Sequence, residues 1–168
     1  FSYWMNTQIS RDDTFSFHMV NLMIHGITAL LVFLVIRRLL AWSGAAEPDR
    51  TPFAGFGALL FLLHPLQTES VAYIAGRSES LCGMFSCASY AAFLYRRSKA
   101  ISWSGVALVV ALFGAAVLTK EQGVVLPVLF LLTDLWWKSG SPLGAVRANW
   151  KLYVVLAVGA LAGVALVW

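Results

Sequence analysis

The amino-acid sequence predicts an all-α integral membrane protein, a bundle of about six transmembrane helices. Hydrophobic residues make up 60% of the 168-residue chain, charged residues only 12%, and the mean hydropathy is +0.76. Soluble domains carry about a quarter charged residues, so this composition excludes a soluble domain. The second observation is that apolar segments recur along the chain, most of them near the ~20 residues that cross a ~30 Å hydrocarbon core as a helix.

Six apolar segments define the predicted spans, and the whole chain, 1–168, forms one predicted transmembrane domain. The spans run over about residues 15–40, 53–63, 71–95, 101–118, 124–137 and 151–168. The second is short, so we expect its crossing to include a turn at Pro52 and the His64-Pro65 end. Both chain ends resemble cuts in a longer protein. No nucleotide-binding loop is present, and we expect no nucleic-acid partner.

The charges in the connecting loops predict the orientation. One side of the predicted bundle holds nine basic residues, Arg37, Arg38, Arg50, Arg96, Arg97, Lys99, Lys138, Arg147 and Lys151. The other side holds three, Arg11, Arg77 and Lys120. Cytoplasmic loops carry an excess of Lys and Arg, so the nine-residue side is predicted to be cytoplasmic and the other side to face the periplasm or lumen.

Polar residues cluster on the predicted outward side, beginning with the first span. His18, Asn21 and His25 are spaced at i, i+3 and i+7, which places them on one helical face. Ionisable groups are costly in a bilayer, so this face is a functional-site hypothesis, a crevice that contacts a charged ligand. The alternative is a set of hydrogen bonds between buried helices.

A second cluster runs from His64 to Arg77. Glu69 is predicted near the start of a helix, with Tyr73 and Arg77 following on the same face at i+4 and i+8. A guanidinium near the membrane surface suits a phosphate or pyrophosphate ligand. The alternative is a structural salt bridge that binds no ligand.

The third cluster is the Lys120-Glu121 pair. The stretch from Lys120 to Trp137 spans about 24 Å as a helix, less than the ~30 Å hydrocarbon core. The pair is therefore predicted to lie in a crevice or at a helix break, with Gly123 easing the turn. The alternative is a Lys–Glu pair that satisfies itself at a tight turn.

Two other groups of residues carry no predicted chemistry. Asp12-Asp13 fits solvated turn residues better than a catalytic pair, and Cys82 and Cys87 form no metal or redox motif.

Three segments carry a resemblance to a known family. They are Phe17-His18-x-x-Asn21-Leu22-x-x-His25, Leu60-Phe61-x-x-His64-Pro65-Leu66-Gln67-Thr68-Glu69-Ser70-Val71-Ala72-Tyr73-Ile74-x-Gly76-Arg77-Ser78, and Lys120-Glu121-Gln122-Gly123-Val124-Val125-Leu126-Pro127. In order and spacing they resemble the membrane part of the transmembrane-and-tetratricopeptide-repeat proteins, O-mannosyltransferase-like enzymes with the GT-C membrane fold. Bacterial relatives share this layout.

The resemblance implies a glycosyltransferase that takes a sugar from a polyprenyl-phosphate donor on the outer side and transfers it to a protein hydroxyl. It implies donor-phosphate binding by Arg77 and Lys120, with His64, His18, Asn21 and His25 as further contacts. Glu69 and Glu121 would support or orient these phosphate-binding residues. The location would be the bacterial inner membrane, or the endoplasmic reticulum membrane in a eukaryote, among membrane lipids.

The sequence departs from the family pattern in two places. The first outward loop, which carries the catalytic acidic residues of GT-C enzymes, and the C-terminal repeats are both missing from residues 1–168, so we expect this stretch alone to be inactive. The rival hypothesis is a noncatalytic integral subunit that packs against a larger membrane complex. No metal site is predicted, and whether the enzyme needs a divalent metal stays open.

Overall fold

The computed structural model describes residues 14–65, 76–96, 100–137 and 142–167. These residues form α-helices and one 3-10 helix, without a strand, which confirms the all-α prediction. The helices are α1 (Thr14–Trp42), α2 (Glu47–Leu63), α3 (Arg77–Leu94), α4 (Trp103–Thr119), the 3-10 helix (Glu121–Val125), α5 (Leu126–Trp137), α6 (Pro142–Ala148) and α7 (Trp150–Val167).

Helix α1 meets the length and composition that a membrane crossing requires. Its stretch Phe15–Trp42 is 28 residues long and strongly apolar. The apolar stretches Trp103–Thr119 and Trp150–Leu161 are shorter. Within the described ranges, length and composition thus support one crossing, and the number of six spans stays a prediction.

The first four helices run alternately up and down. Antiparallel packing of α1 and α2 brings His25 beside the carbonyl of Leu62 at one end and Arg37 beside Glu47 at the other. Helix α3 runs parallel to α1, because Arg38 near the end of α1 donates to the carbonyl of Leu94 at the end of α3, and Arg77 at the start of α3 donates to Asn21 near the start of α1. We call the end that holds Asn21, His64, Arg77 and Lys120 the motif end, and the end that holds Arg37, Arg38, Arg50 and Arg96 the basic end.

The bundle core contains a pair of buried aromatic rings among mainly aliphatic side chains. Phe93 and Phe130 are fully buried, and their ring centroids lie 4.8 Å apart between α3 and α5. Many large apolar side chains lie outside this core; on α1 the most exposed include Phe15, Leu22, Met23, Ile27 and Leu30. An apolar outer face of this kind is what a lipid-facing helix presents.

Two local expectations about helix breaks have different outcomes. The turn expected at Pro52 is wrong, since Pro52 lies inside α2. Because proline has no N–H, Pro52 cannot donate to the carbonyl of Pro48, and α2 continues with one backbone hydrogen bond fewer. The break expected at Lys120 is confirmed, because Lys120 has extended backbone angles and separates α4 from the 3-10 helix.

A buried polar cluster joins α3, α5 and α7 at the basic end, and sequence reasoning did not anticipate it. Asp134 is fully buried within an apolar helix and accepts from Arg96 Nη2 at 2.7 Å. Its second oxygen, Oδ2, accepts from Asn149 Nδ2 at 2.5 Å and from the hydroxyl of Tyr153 at 2.9 Å. Asn149 in turn accepts from the backbone N–H of Ile101, which ties in the start of α4.

We expect Asp134→Ala to destabilise the fold by about 3–5 kcal/mol, because it leaves the Arg96 guanidinium buried without its carboxylate. Asp49→Ala is the matched control, since Asp49 is an exposed acid in the first turn of α2 and its removal costs about 1 kcal/mol or less. Thermal unfolding in detergent measures both. Equal unfolding temperatures for the two variants would contradict a structural role for the cluster.

Candidate functional site

Arg77 is the central residue of the motif end. It opens α3, and its side chain is fully buried against α1. Its Nε donates to Asn21 Oδ1 at 2.8 Å, and its Nη2 donates to the carbonyl of Phe17 at 3.1 Å. The guanidinium carbon also lies 5.2 Å from the centre of the Phe17 ring. Two helices that are distant in sequence are therefore joined through one cation.

The three polar residues of α1 do not share one environment. Asn21 and His25 are buried on a common face, where His25 Nε2 lies 3.1 Å from the Leu62 carbonyl oxygen of α2. His18 is exposed. Helix α2 ends at Leu63, level with His25, so His18 lies about 10 Å beyond that helix end. The geometry of Asn21 and His25 matches interhelical hydrogen bonding, the alternative considered above.

Lys120 forms an ion pair with Glu79, a partner that the sequence did not indicate. The alternative considered from the sequence was a pair with the neighbouring Glu121, but the Lys120 ammonium donates to Glu79 Oε1, and Glu121 is exposed. Glu79 lies in the first turn of α3, two residues after Arg77, where a carboxylate also interacts well with the helix dipole. Its place in that first turn was the signal that sequence reasoning missed.

The environment of Lys120 keeps its ammonium charged and accessible. The hydrogen bond to Glu79 raises the pKa of Lys120 above its ordinary value. The Lys120 side chain remains 25% exposed and that of Glu79 52%. A ligand that reaches this end of the bundle can therefore contact a fixed positive charge without first breaking a buried pair.

Close backbone packing fixes the position of Lys120. The Cys82 thiol of α3 lies 3.7 Å from the Lys120 carbonyl oxygen. Gly123 is buried, and its backbone packs directly against the backbone of α4. A Cβ atom at this position would lie only 3.0 Å from the carbonyl carbon of Ala116 and from the nitrogen of Val117. Gly123 therefore serves a close approach of two backbone segments, which is a more specific reason than the eased turn that the sequence suggested.

The remaining candidates lie at the edge of the site or outside the described residues. His64 is exposed after α2 and borders a shallow apolar cavity of about 380 Å³. Glu69 and Tyr73, like Asp12-Asp13, lie outside the described residues. The described His, Cys, Asp and Glu side chains include no group of three that could hold a metal ion.

An apolar groove of about 840 Å³ runs between α4, α5 and α7. Val117 and Val124, which flank the break in the chain at Lys120, line it together with Pro127 and Val128. It extends toward Tyr153 at the basic end. The motif end thus has an accessible cation at Lys120, and the residues on either side of it in the chain line an apolar groove.

Comparison with known proteins gives three informative relatives. The human protein O-mannosyl-transferase TMTC3 is 31% identical over 127 residues, covering 73% of this chain and 13% of its own length. The Caenorhabditis elegans protein O-mannosyl-transferase F38B6.6 is 32% identical over 124 residues, covering 74% and 16%. The Drosophila melanogaster protein O-mannosyl-transferase Tmtc1 is 34% identical over 136 residues, covering 79% and 14%.

The comparisons define both the relationship and its extent. No family model and no solved structure matches the chain. The chain spans about one-seventh of the length of the curated relatives it matches. Within that stretch the similarity covers most of the chain and agrees with the resemblance carried by its motifs. The chain therefore belongs to the family of the TMTC protein O-mannosyl-transferases.

Proposed function

We propose that this chain is part of a membrane glycosyltransferase and that its motif end binds the phosphate of a polyprenyl-phosphate-linked sugar. The observation that carries the proposal is Lys120, an accessible ammonium at a helix break whose flanking residues Val117 and Val124 line an apolar groove. A lipid-linked phosphate needs both a cation and an apolar surface for its chain. The names of the relatives support sugar transfer to a protein, which we extend here to the longer protein that contains this chain.

Lys120 is the residue that we place in contact with the donor phosphate. Its present partner, Glu79, is half exposed and can move aside without a large desolvation cost, because ion pairs between solvent-exposed groups contribute only about 0–1 kcal/mol. The exposed imidazoles of His18 and His64 are further polar groups at this end. The apolar groove between α4, α5 and α7 would hold the first isoprene units.

Arg77 has a geometry better suited to positioning than to direct contact. Its side chain is fully buried, and two of its donors are committed to Asn21 and Phe17 of α1. By fixing the start of α3, Arg77 also fixes Glu79, two residues later, and so the partner of Lys120. Direct contact of Arg77 with the phosphate stays a prediction from the sequence.

The acceptor and the orientation follow from the same proposal. The acceptor would be a protein hydroxyl, and its activation needs a carboxylate within hydrogen-bond reach. Glu121, exposed next to Lys120, is proposed to orient the bound donor, and Glu69 to support it. The charge asymmetry of the loops supports a motif end that faces the lumen or periplasm.

We expect Lys120→Gln in the full-length protein to weaken binding of a polyprenyl-phosphate sugar about tenfold, the loss of about 1.4 kcal/mol from one charge-assisted contact. The unfolding temperature should change little, because the lost ion pair with Glu79 is partly exposed. Donor binding is measured by titration of the protein in detergent or nanodiscs.

The matched control is Lys151→Gln. Lys151 lies at the basic end, with its ammonium 5.1 Å from the centre of the Trp103 ring, so its removal should leave donor affinity unchanged. Equal affinities for wild type and both variants would refute the phosphate site at Lys120. A full-length protein that binds no donor at all would favour the noncatalytic membrane subunit.

We expect Arg77→Ala to lower both stability and donor affinity, because it leaves the buried Asn21 carbonyl without this donor at a cost of about 1–3 kcal/mol. Thermal unfolding and donor titration are measured on the same sample. The matched control is Arg147→Ala, which removes an exposed arginine at the basic end. A fall in affinity with unchanged unfolding would show instead that Arg77 contacts the donor directly.

A further inference from the structure

The basic end contains a polar cavity that the proposed function does not use. It has a volume of about 220 Å³ and is lined by Arg37, Arg38, Ala41, Glu47, Arg50 and Tyr95. These residues come from the end of α1, the start of α2 and the end of α3. The cavity lies at the opposite end of the bundle from Lys120, so its ligand is separate from the proposed sugar donor.

The lining of this cavity carries excess positive charge. Three guanidinium groups face one carboxylate, which leaves a net charge of +2 (three positive minus one negative). Glu47 is shared, since one oxygen lies 3.5 Å from Arg37 Nη2 and the other forms an ion pair with Arg50. Among the described residues, no carboxylate pairs with Arg38.

Arg38 is held in place by neutral groups. Its Nε donates to the Leu94 carbonyl at 3.2 Å, and its guanidinium carbon lies 5.2 Å from the Tyr95 ring centre and 5.6 Å from that of Trp42. The Tyr95 hydroxyl is itself anchored on the Leu34 carbonyl at 3.0 Å. A guanidinium that is already ordered loses less entropy when it binds an anion, and its planar fork suits a phosphate.

The position of the cavity along α1 matches the level of lipid headgroups. The apolar stretch from Phe15 to Ile36 rises about 33 Å, close to the ~30 Å hydrocarbon core. Arg37 and Arg38 therefore follow at the point where the core ends. Tyr and Trp side chains are typical of this interface, and Trp42 and Tyr95 lie beside the cavity.

An exposed apolar stripe on α1 leads to the same cavity. Leu30 is 66% exposed and Leu34 37% exposed. Arg37 and Arg38 follow Leu34 at i+3 and i+4, so they continue the same helical face. A molecule with an acyl chain along this stripe would bring its headgroup to the arginines, whereas a free phosphate would gain nothing from the stripe.

We propose that this cavity binds the phosphate of an anionic phospholipid in the leaflet at the basic end. Basic pockets between helices on the cytoplasmic side are suited to anionic lipid headgroups. The predicted cytoplasmic orientation of this end places the cavity in the leaflet whose surface is negatively charged. The arginines that indicate topology then also form a defined lipid site.

Lipid retention in native mass spectrometry tests the proposal. The full-length protein is purified from nanodiscs that contain phosphatidylcholine with a minor share of phosphatidylglycerol. We expect wild type to retain phosphatidylglycerol selectively and Arg38→Gln to retain about tenfold less, the loss of one charge-assisted contact. Arg147→Gln is the matched control, since it removes an exposed arginine of α6 outside the cavity, and it should retain as much as wild type.

Glu47→Gln keeps the test decisive if Arg38→Gln folds poorly. This substitution removes the carboxylate that competes for Arg37 and Arg50, so retention of phosphatidylglycerol should rise. A merely structural role for the arginines would not produce such a gain. The proposal would be overturned if Glu47→Gln retained as much phosphatidylglycerol as wild type and Arg38→Gln retained as much as Arg147→Gln. Complete displacement of the lipid by inorganic phosphate would also overturn it.

Discussion

The buried contact between the Arg77 guanidinium and α1 is the interaction on which the motif end depends. Lipid tails are as apolar as leucine, so helices in a membrane gain little by burying apolar surface and associate through close packing and hydrogen bonds. Arg77 supplies such bonds to Asn21 and Phe17. It thereby fixes the start of α3, from which Glu79 reaches Lys120.

At the basic end, too, buried polar contacts join the helices, although the groups are different. There the buried Asp134 carboxylate accepts hydrogen bonds from Arg96, Asn149 and Tyr153. Each end of the bundle thus has an inner polar contact that holds helices and an outer cation that a ligand can reach. Arg77 and Arg96 are inner groups, while Lys120 and the arginines around Glu47 are outer ones.

The difference between buried polar contacts and accessible cations bears on the two hypotheses about function, a glycosyltransferase and a noncatalytic membrane subunit. A glycosyltransferase needs accessible groups for its donor, and Lys120 with its neighbouring groove is such a group. A noncatalytic subunit needs only the inner contacts, such as Asn21 with Arg77 and His25 with Leu62. Membership in the family of the protein O-mannosyl-transferases favours the first hypothesis.

The sequence by itself determined the helical class, the approximate places of the longer helices, the break at Lys120 and the family, because composition, apolar segment length and local motifs carry these directly. It placed Pro52 in a turn, and it offered only the neighbouring Glu121 as an alternative partner for Lys120, since local spacing was the available guide. Only the tertiary structure decided which distant residues meet. The pairing of Lys120 with Glu79 and the Asp134 cluster depend on how whole helices pack against one another, which no local pattern encodes.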